Sequence, residues 1–182
     1  MDRVKYLITE LFSLADRSDT QAQLYAIVDA GIYRTFIDLL DIEAPMYRIL
    51  FKDLFVREYE NVAPYLIVLE KGDAFTERIV SEGYGKTWLS FVISGLDIDP
   101  LAEALKGYIN PYSQKHAQEI IFRFYDPRNM RRYVEMLTPE EFDLFSSDIE
   151  GFLLCIDTNE PSVLQCFESK QQKTISLLKE TV

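Results

Sequence analysis

The stretch "IIFRFYDPRNMRRYVEMLTPEEF" (120–142) decides how the chain folds. Its first part, within "EIIFRFYD" (119–126), reads as a strand. On a strand Ile121, Arg123 and Tyr125 share one face, and Ile120, Phe122 and Phe124 share the other. Its second part reads as two helices. Asp126 before Pro127, and Thr138 before Pro139, each set a capping oxygen ahead of a proline at the first helical position, where no N–H is lost. Thr138 with Glu141 also fits a capping box. Asp126 thus ends the strand and begins a helix carrying Met130, Val134 and Leu137. Arg123 pairs with an acid across the sheet or beneath that helix. One arginine and one aspartate define no reaction, so both are assigned structural roles, as is Asp29 at the end of an upstream strand.

Outward from this joint, strands and helices alternate. "LYAIVDAG" (24–31), "APYLIVLE" (63–70) and "TWLSFVIS" (87–94) are short apolar runs of the kind buried on both faces of a sheet. "EGFLLCID" (150–157) and "VLQCFE" (163–168) continue the set. Val4, Leu7, Ile8, Leu11, Phe12 and Ala15 mark one face of an amphipathic helix. "IYRTFIDLL" (32–40) reads as helical, and "DAFTERIVSEG" (73–83) as a helix capped by Asp73. Asp99–Pro100 repeats the cap-plus-proline signal, whereas "YRILFKDLF" (47–55) fits either strand or helix. The tail "KQQKTISLLKETV" (170–182) reads as a helix with Ile175, Leu178 and Val182 on one side. The expected architecture is a single α/β domain over 1–182. It has a central mixed sheet of five or six strands with helices packed on it.

Composition bounds the function. The 182 residues suffice for a substantial core. The net charge of −11 repels phosphate backbones and anionic lipid, so neither nucleic acid nor membrane is an expected partner. A basic polypeptide suits it. The first residues mix charges at helical spacing and lack a signal-peptide core, and no apolar run approaches spanning length, so a cytoplasmic location is expected. Cys155 and Cys166 read as free thiols there, although a hairpin about Glu160–Pro161 would set them face to face.

Catalytic signals are weak. His116 is the sole histidine and reads as a solvent-exposed loop residue. No nucleophile elbow accompanies it, and one His with two separated Cys makes a poor zinc set. "GYGKTW" (83–88) imitates the end of a phosphate loop, but Val80 stands where the first glycine belongs. No cofactor or metal is expected. What stands out is charge layout. Arg128, Arg131 and Arg132 crowd one short helix with Tyr133 and Glu135. Residues 133–169 then hold nine acids and no Lys or Arg. They form either a solvated face or an acidic docking face beside the arginine helix. Arg128, Arg131, Arg132, Tyr133 and Glu135 are the candidate partner-binding set. Tyr6, Tyr25, Tyr33, Tyr47, Tyr59, Tyr84, Tyr108 and Tyr112 supply further contact residues.

Four blocks in order, "LYAIVDAG", "VAPYLIVLE", "GKTWLSFVIS" and the 120–145 segment with "RFYDPR" followed by "LTPEE", resemble the bacterial type VI secretion adaptor family, also called effector chaperones. The resemblance spans about residues 24–156 and leaves 157–182, a strand and the C-terminal helix, outside it. It implies a non-enzymatic protein that binds a secreted effector in the producing cell. Such a protein helps load that effector onto the valine–glycine-repeat spike protein. The competing expectations are an immunity protein that neutralises a toxin by binding, and a carboxylate-dependent hydrolase.

Overall fold

The structure is a computed structural model that describes residues 3–17, 21–52, 58–109, 112–113, 118–119, 121–154, 163–168 and 171–176. In chain order the elements are α1 (Arg3–Asp16), β1 (Gln23–Asp29), α2 (Phe36–Glu43), β2 (Tyr47–Ile49), β3 (Pro64–Val68), α3 (Ala74–Gly83), β4 (Leu89–Ser94) and α4 (Ile98–Ile109). A small ribbon follows, β5 (Tyr112–Ser113) with β6 (Gln118–Glu119). Then come α5 (Pro127–Met136), α6 (Pro139–Ser146), β7 (Gly151–Leu154), β8 (Val163–Glu168) and β9 (Gln171–Ser176).

The main sheet has the order β2-β3-β1-β4-β7-β8-β9. Its first four strands form the body, and the last three extend it from β4. Apart from the exposed first residue of β1, β1, β3 and β4 are buried along their whole lengths, as their unbroken apolar runs require. Every strand pairing is antiparallel, which corrects the mixed sheet of five or six strands. The strand–helix–strand run β3–α3–β4 does join two parallel strands. However, β1 lies between them and runs against both, so among the described residues no parallel pair is hydrogen-bonded.

Register sorts the side chains into two faces. Tyr25, Ile27 and Asp29 share one face with Leu66, Val68 and Arg48. Helix α4 covers it, tied by Arg48 to Asp99 and by the Tyr25 hydroxyl, which donates to the Leu96 carbonyl at 2.6 Å. The opposite face, with Leu24, Ala26, Val28, Tyr65 and Leu89, is covered by α1, α2 and α3. Phe36 of α2 meets Tyr65 edge-on at 5.2 Å, and α1 packs against α3. Gly83 lets the end of α3 lie close against β4: a Cβ there would stand 2.5 Å from Leu89 Cδ2.

Three other expectations change. Residues 121–126 are not a strand but a turn leading into α5. The segment Gln171–Ser176, expected within a C-terminal helix, is strand β9 paired with β8. Helix α4 starts at Ile98, with the Asp97 carbonyl accepting from Leu101 N–H. Asp99 therefore lies inside the first turn, free to bind Arg48. Cys166 sits opposite Leu153, while Cys155 and His116 lie outside the described residues.

Candidate partner-binding site

The segment 121–126 packs onto the α4 face of the sheet. The Phe122 N–H donates to the Ile109 carbonyl at the end of α4. Arg123 then reaches back across the sheet and its guanidinium forms an ion pair with Asp29. Asp29 is 2 % exposed. Burial pushes its carboxyl above the usual range. The Arg123 charge and hydrogen bonds from Arg123, Ile32 and Gly31 pull the other way without cancelling it. The Arg123 carbonyl accepts from the Asn129 side-chain amide at 3.0 Å, which stitches the turn to α5.

Asp126 caps α5. Its Oδ1 accepts from the Arg128 backbone N–H at 2.9 Å, and the Arg128 guanidinium adds bonds of 3.0 and 2.6 Å to the two carboxylate oxygens. Burial works against its charge, yet the Arg128 hydrogen bonds and the Arg128 and Arg123 charges hold its pKa below the usual range. Such a carboxylate adds stability above its unfolded pKa and loses it as pH falls through the folded one. Asp126→Ala is therefore expected to lower stability by about 0.5–2 kcal/mol at neutral pH, with the gap narrowing in acid. Urea unfolding at both pH values measures this. Pro127 is buried behind the cap. Thr138 and Glu141 complete the reciprocal capping box of α6, with Pro139 in its first turn.

An aromatic cluster holds the two helices down. Tyr108 meets Phe145 at 4.9 Å, Phe145 meets Tyr133 at 5.5 Å, and Tyr133 meets Phe122 at 5.0 Å. Phe124, with no exposed surface, lies 6.0 Å from Phe145 and 6.2 Å from Tyr108. Tyr133, one of the expected contact residues, is thus half-buried in the cluster.

The outward surface differs from a patch of three free arginines. Arg128 is committed to Asp126, while Arg132 is exposed. The side chains of Arg131 and Glu135 lie outside the described ones. At intervals of four residues, Arg128, Arg132 and Met136 form one exposed stripe. Beside it α6 turns outward Glu140, Asp143 and Leu144. Met136 and Leu144 are 80 % and 69 % exposed, and sequence reasoning missed both. Spacing could have found them: Met130, Tyr133 and Leu137 take the inward positions of α5, and Phe142 and Phe145 those of α6.

Elsewhere, an open cleft of about 470 Å³ lies between the end of α1 and the outer ends of β1 and β3, lined in part by Phe12, Gln23, Leu69 and Lys71. Among the described residues, no three His, Cys, Asp or Glu side chains are grouped to hold a metal ion. No helix among them is long and apolar enough to cross a membrane.

No curated protein and no solved structure matches the chain. A family model does, over residues 24–144, ending short of the 156 expected from the sequence blocks. That span runs from β1 into α6, so it takes in the Asp29–Arg123 pair, the Asp126 cap and the aromatic cluster except Phe145. On this match the chain belongs to the family described as Domain of unknown function, DUF4123.

Proposed function

We propose that the protein is an adaptor that binds a type VI secretion effector and helps seat it on the valine–glycine-repeat spike protein. The observation that carries this reading is the family match over 24–144. That span holds the blocks through which the sequence resembles effector adaptors. The α5–α6 surface suits the role, because it presents a cation, acids and two exposed apolar side chains on helices fixed by a rigid aromatic base. Of the acids a hydrolase could use, Asp16 and Glu70 line the described cleft, while the buried ones are placed otherwise. Asp29 and Asp126 are each 2 % exposed and engaged by arginines, and neither they nor Glu150 line the described cleft. A catalytic carboxylate must reach its substrate.

Co-expression with candidate effector and spike proteins from the same genome, followed by co-purification, tests the reading. Deleting the adaptor should abolish delivery of one effector. If deletion instead leaves delivery intact and makes cells vulnerable to their siblings, the protein is an immunity protein. Arg131→Glu with Arg132→Glu should weaken capture of effector or spike. For the exposed Arg132 alone, stability should stay within about 0.5 kcal/mol, as for other surface changes. Arg128 must be spared, since a reversed charge there would face Asp126. Undiminished capture by the double variant would remove α5 from the interface.

A further inference from the structure

Strand β2 closes one end of the main sheet. Val68 N–H donates to the Met46 carbonyl, and Leu50 N–H donates to the Pro64 carbonyl. With Arg48 opposite Leu66, alternation turns the backbone groups of residues 46, 48 and 50 toward β3. Those of Tyr47 and Ile49 face away from the sheet. The Tyr47 carbonyl is occupied by the Arg48 guanidinium at 2.7 Å. The Tyr47 N–H and both Ile49 groups have no partner among the described residues.

Natural edges are commonly guarded by a cation or a proline. Here the one cation of β2, Arg48, is neutralised by Asp99 of α4 through bonds of 2.5 and 3.1 Å, while its guanidinium also holds the outward Tyr47 carbonyl. The surroundings are apolar and acidic. Ile42 and Met46 are 74 % and 60 % exposed, and Tyr47 is 36 % exposed. The Tyr47 ring lies 5.5 Å from Tyr65, whose hydroxyl donates to the Glu60 carbonyl. That contact brings the turn Glu60–Val62 alongside Tyr47. Asp41, Glu43, Glu58 and Glu60, in the chain flanking β2 and in the turn beside Tyr47, are all exposed.

The geometry points to the edge of β2, open among the described residues, as a docking site for an extended, basic segment of a partner polypeptide, added as a further strand. The Tyr47 N–H and both Ile49 groups supply the ladder, Ile42, Met46 and Tyr47 receive its apolar side chains, and the acidic rim selects cations. A second copy of this chain fits poorly. Its own edge would bring the same acids together, on a chain of net charge −11. The inference does not depend on the partner being a secretion effector.

The test uses the full chain with three synthetic peptides: alternating lysine and valine, alternating glutamate and valine, and the lysine–valine peptide interrupted by proline. Residue-resolved amide exchange by NMR and fluorescence anisotropy are the readouts. The uninterrupted lysine–valine peptide should bind, more weakly as salt rises, and slow exchange at Tyr47 and Ile49. The other two should bind at least about tenfold more weakly. Tyr47→Pro removes an outward N–H at the first position of an edge strand, where proline is tolerated. It should weaken binding by about tenfold. Ile42→Lys with Met46→Lys changes the rim without touching the backbone and should have a similar effect. No binding, protection elsewhere, equal binding of the glutamate peptide, undiminished binding by either folded variant, or self-association through this edge would each overturn the proposal.

Discussion

Replacing Phe124 with alanine is expected to destabilise the protein by about 3–5 kcal/mol, the range for a large aromatic removed from a packed core. The ring has no exposed surface and lies within 6.2 Å of Tyr108, Tyr125 and Phe145. Through Phe145 it supports Tyr133, and through Tyr133 it supports Phe122. Polar ties add to this, beside the Asp29–Arg123 pair and the Asn129 bond to the Arg123 carbonyl. The Tyr108 hydroxyl donates to the Leu144 carbonyl at 3.1 Å, the Ser94 hydroxyl to the Asp148 carbonyl at 2.6 Å, and Glu150 N–H to the Ile93 carbonyl at 2.9 Å. The loss should therefore be uneven. Amides of α5 and α6 should lose exchange protection before those of β1, β3 and β4. Phe124→Leu keeps most of the volume and should cost less than about 1.5 kcal/mol. Under the adaptor reading, partner capture should fall with Phe124→Ala and survive Phe124→Leu. A denaturation midpoint for Phe124→Ala close to that of the parent would show that the cluster is not what anchors these helices.

How much of this was legible in the sequence depends on whether the deciding contacts are local. Asp73 and Thr138 accept from the backbone three residues on, so their caps could be read from neighbouring letters. The strands β1, β3 and β4 announced themselves because burial on both faces demands unbroken apolar runs. The segment 121–126 misled because its letters suit a strand, whereas its place in space does not. The side of β4 that could have received it is taken by β7. The chain lies on the sheet instead, and Phe124, Tyr125 and Asp126 are buried in succession, with no alternation. The tail misled for the same kind of reason: Ile175, Leu178 and Val182 have helical spacing, but pairing with β8 outweighs it at Gln171–Ser176. Within the candidate site, the cap at Asp126 was readable. The partner of Arg123 was not, because Asp29 stands 94 residues away, and no local pattern encodes that distance.

That distant pair carries the second large effect. Arg123→Met leaves the Asp29 carboxylate, 2 % exposed, without its counter-charge. Breaking a buried pair from one side costs about 3–5 kcal/mol. The low end, about 3 kcal/mol, is expected, because the Arg123 side chain is 39 % exposed and its charge is partly screened. The sign of the pH dependence follows from the raised Asp29 pKa. A carboxyl that binds a proton more readily when folded favours the fold below its unfolded pKa, and that advantage is lost as pH rises through the folded value. Removing the arginine raises the folded pKa further, so the cost of Arg123→Met should shrink steadily as pH falls from neutrality toward about 5. Asp29→Asn should behave differently. It discards the buried charge, keeps an oxygen to accept from Gly31 and Ile32, and leaves an arginine that water can still reach. Its cost should be about 1 kcal/mol at neutral pH, near that of one hydrogen bond, and should grow as pH falls, because the parent gains stability in acid from the raised Asp29 pKa and asparagine does not. Stability curves of the two variants against the parent, taken at several pH values, separate these outcomes. If Asp29→Asn costs as much as Arg123→Met at neutral pH, or the arginine variant worsens in acid, the pair does not brace this corner by burying one charge against another.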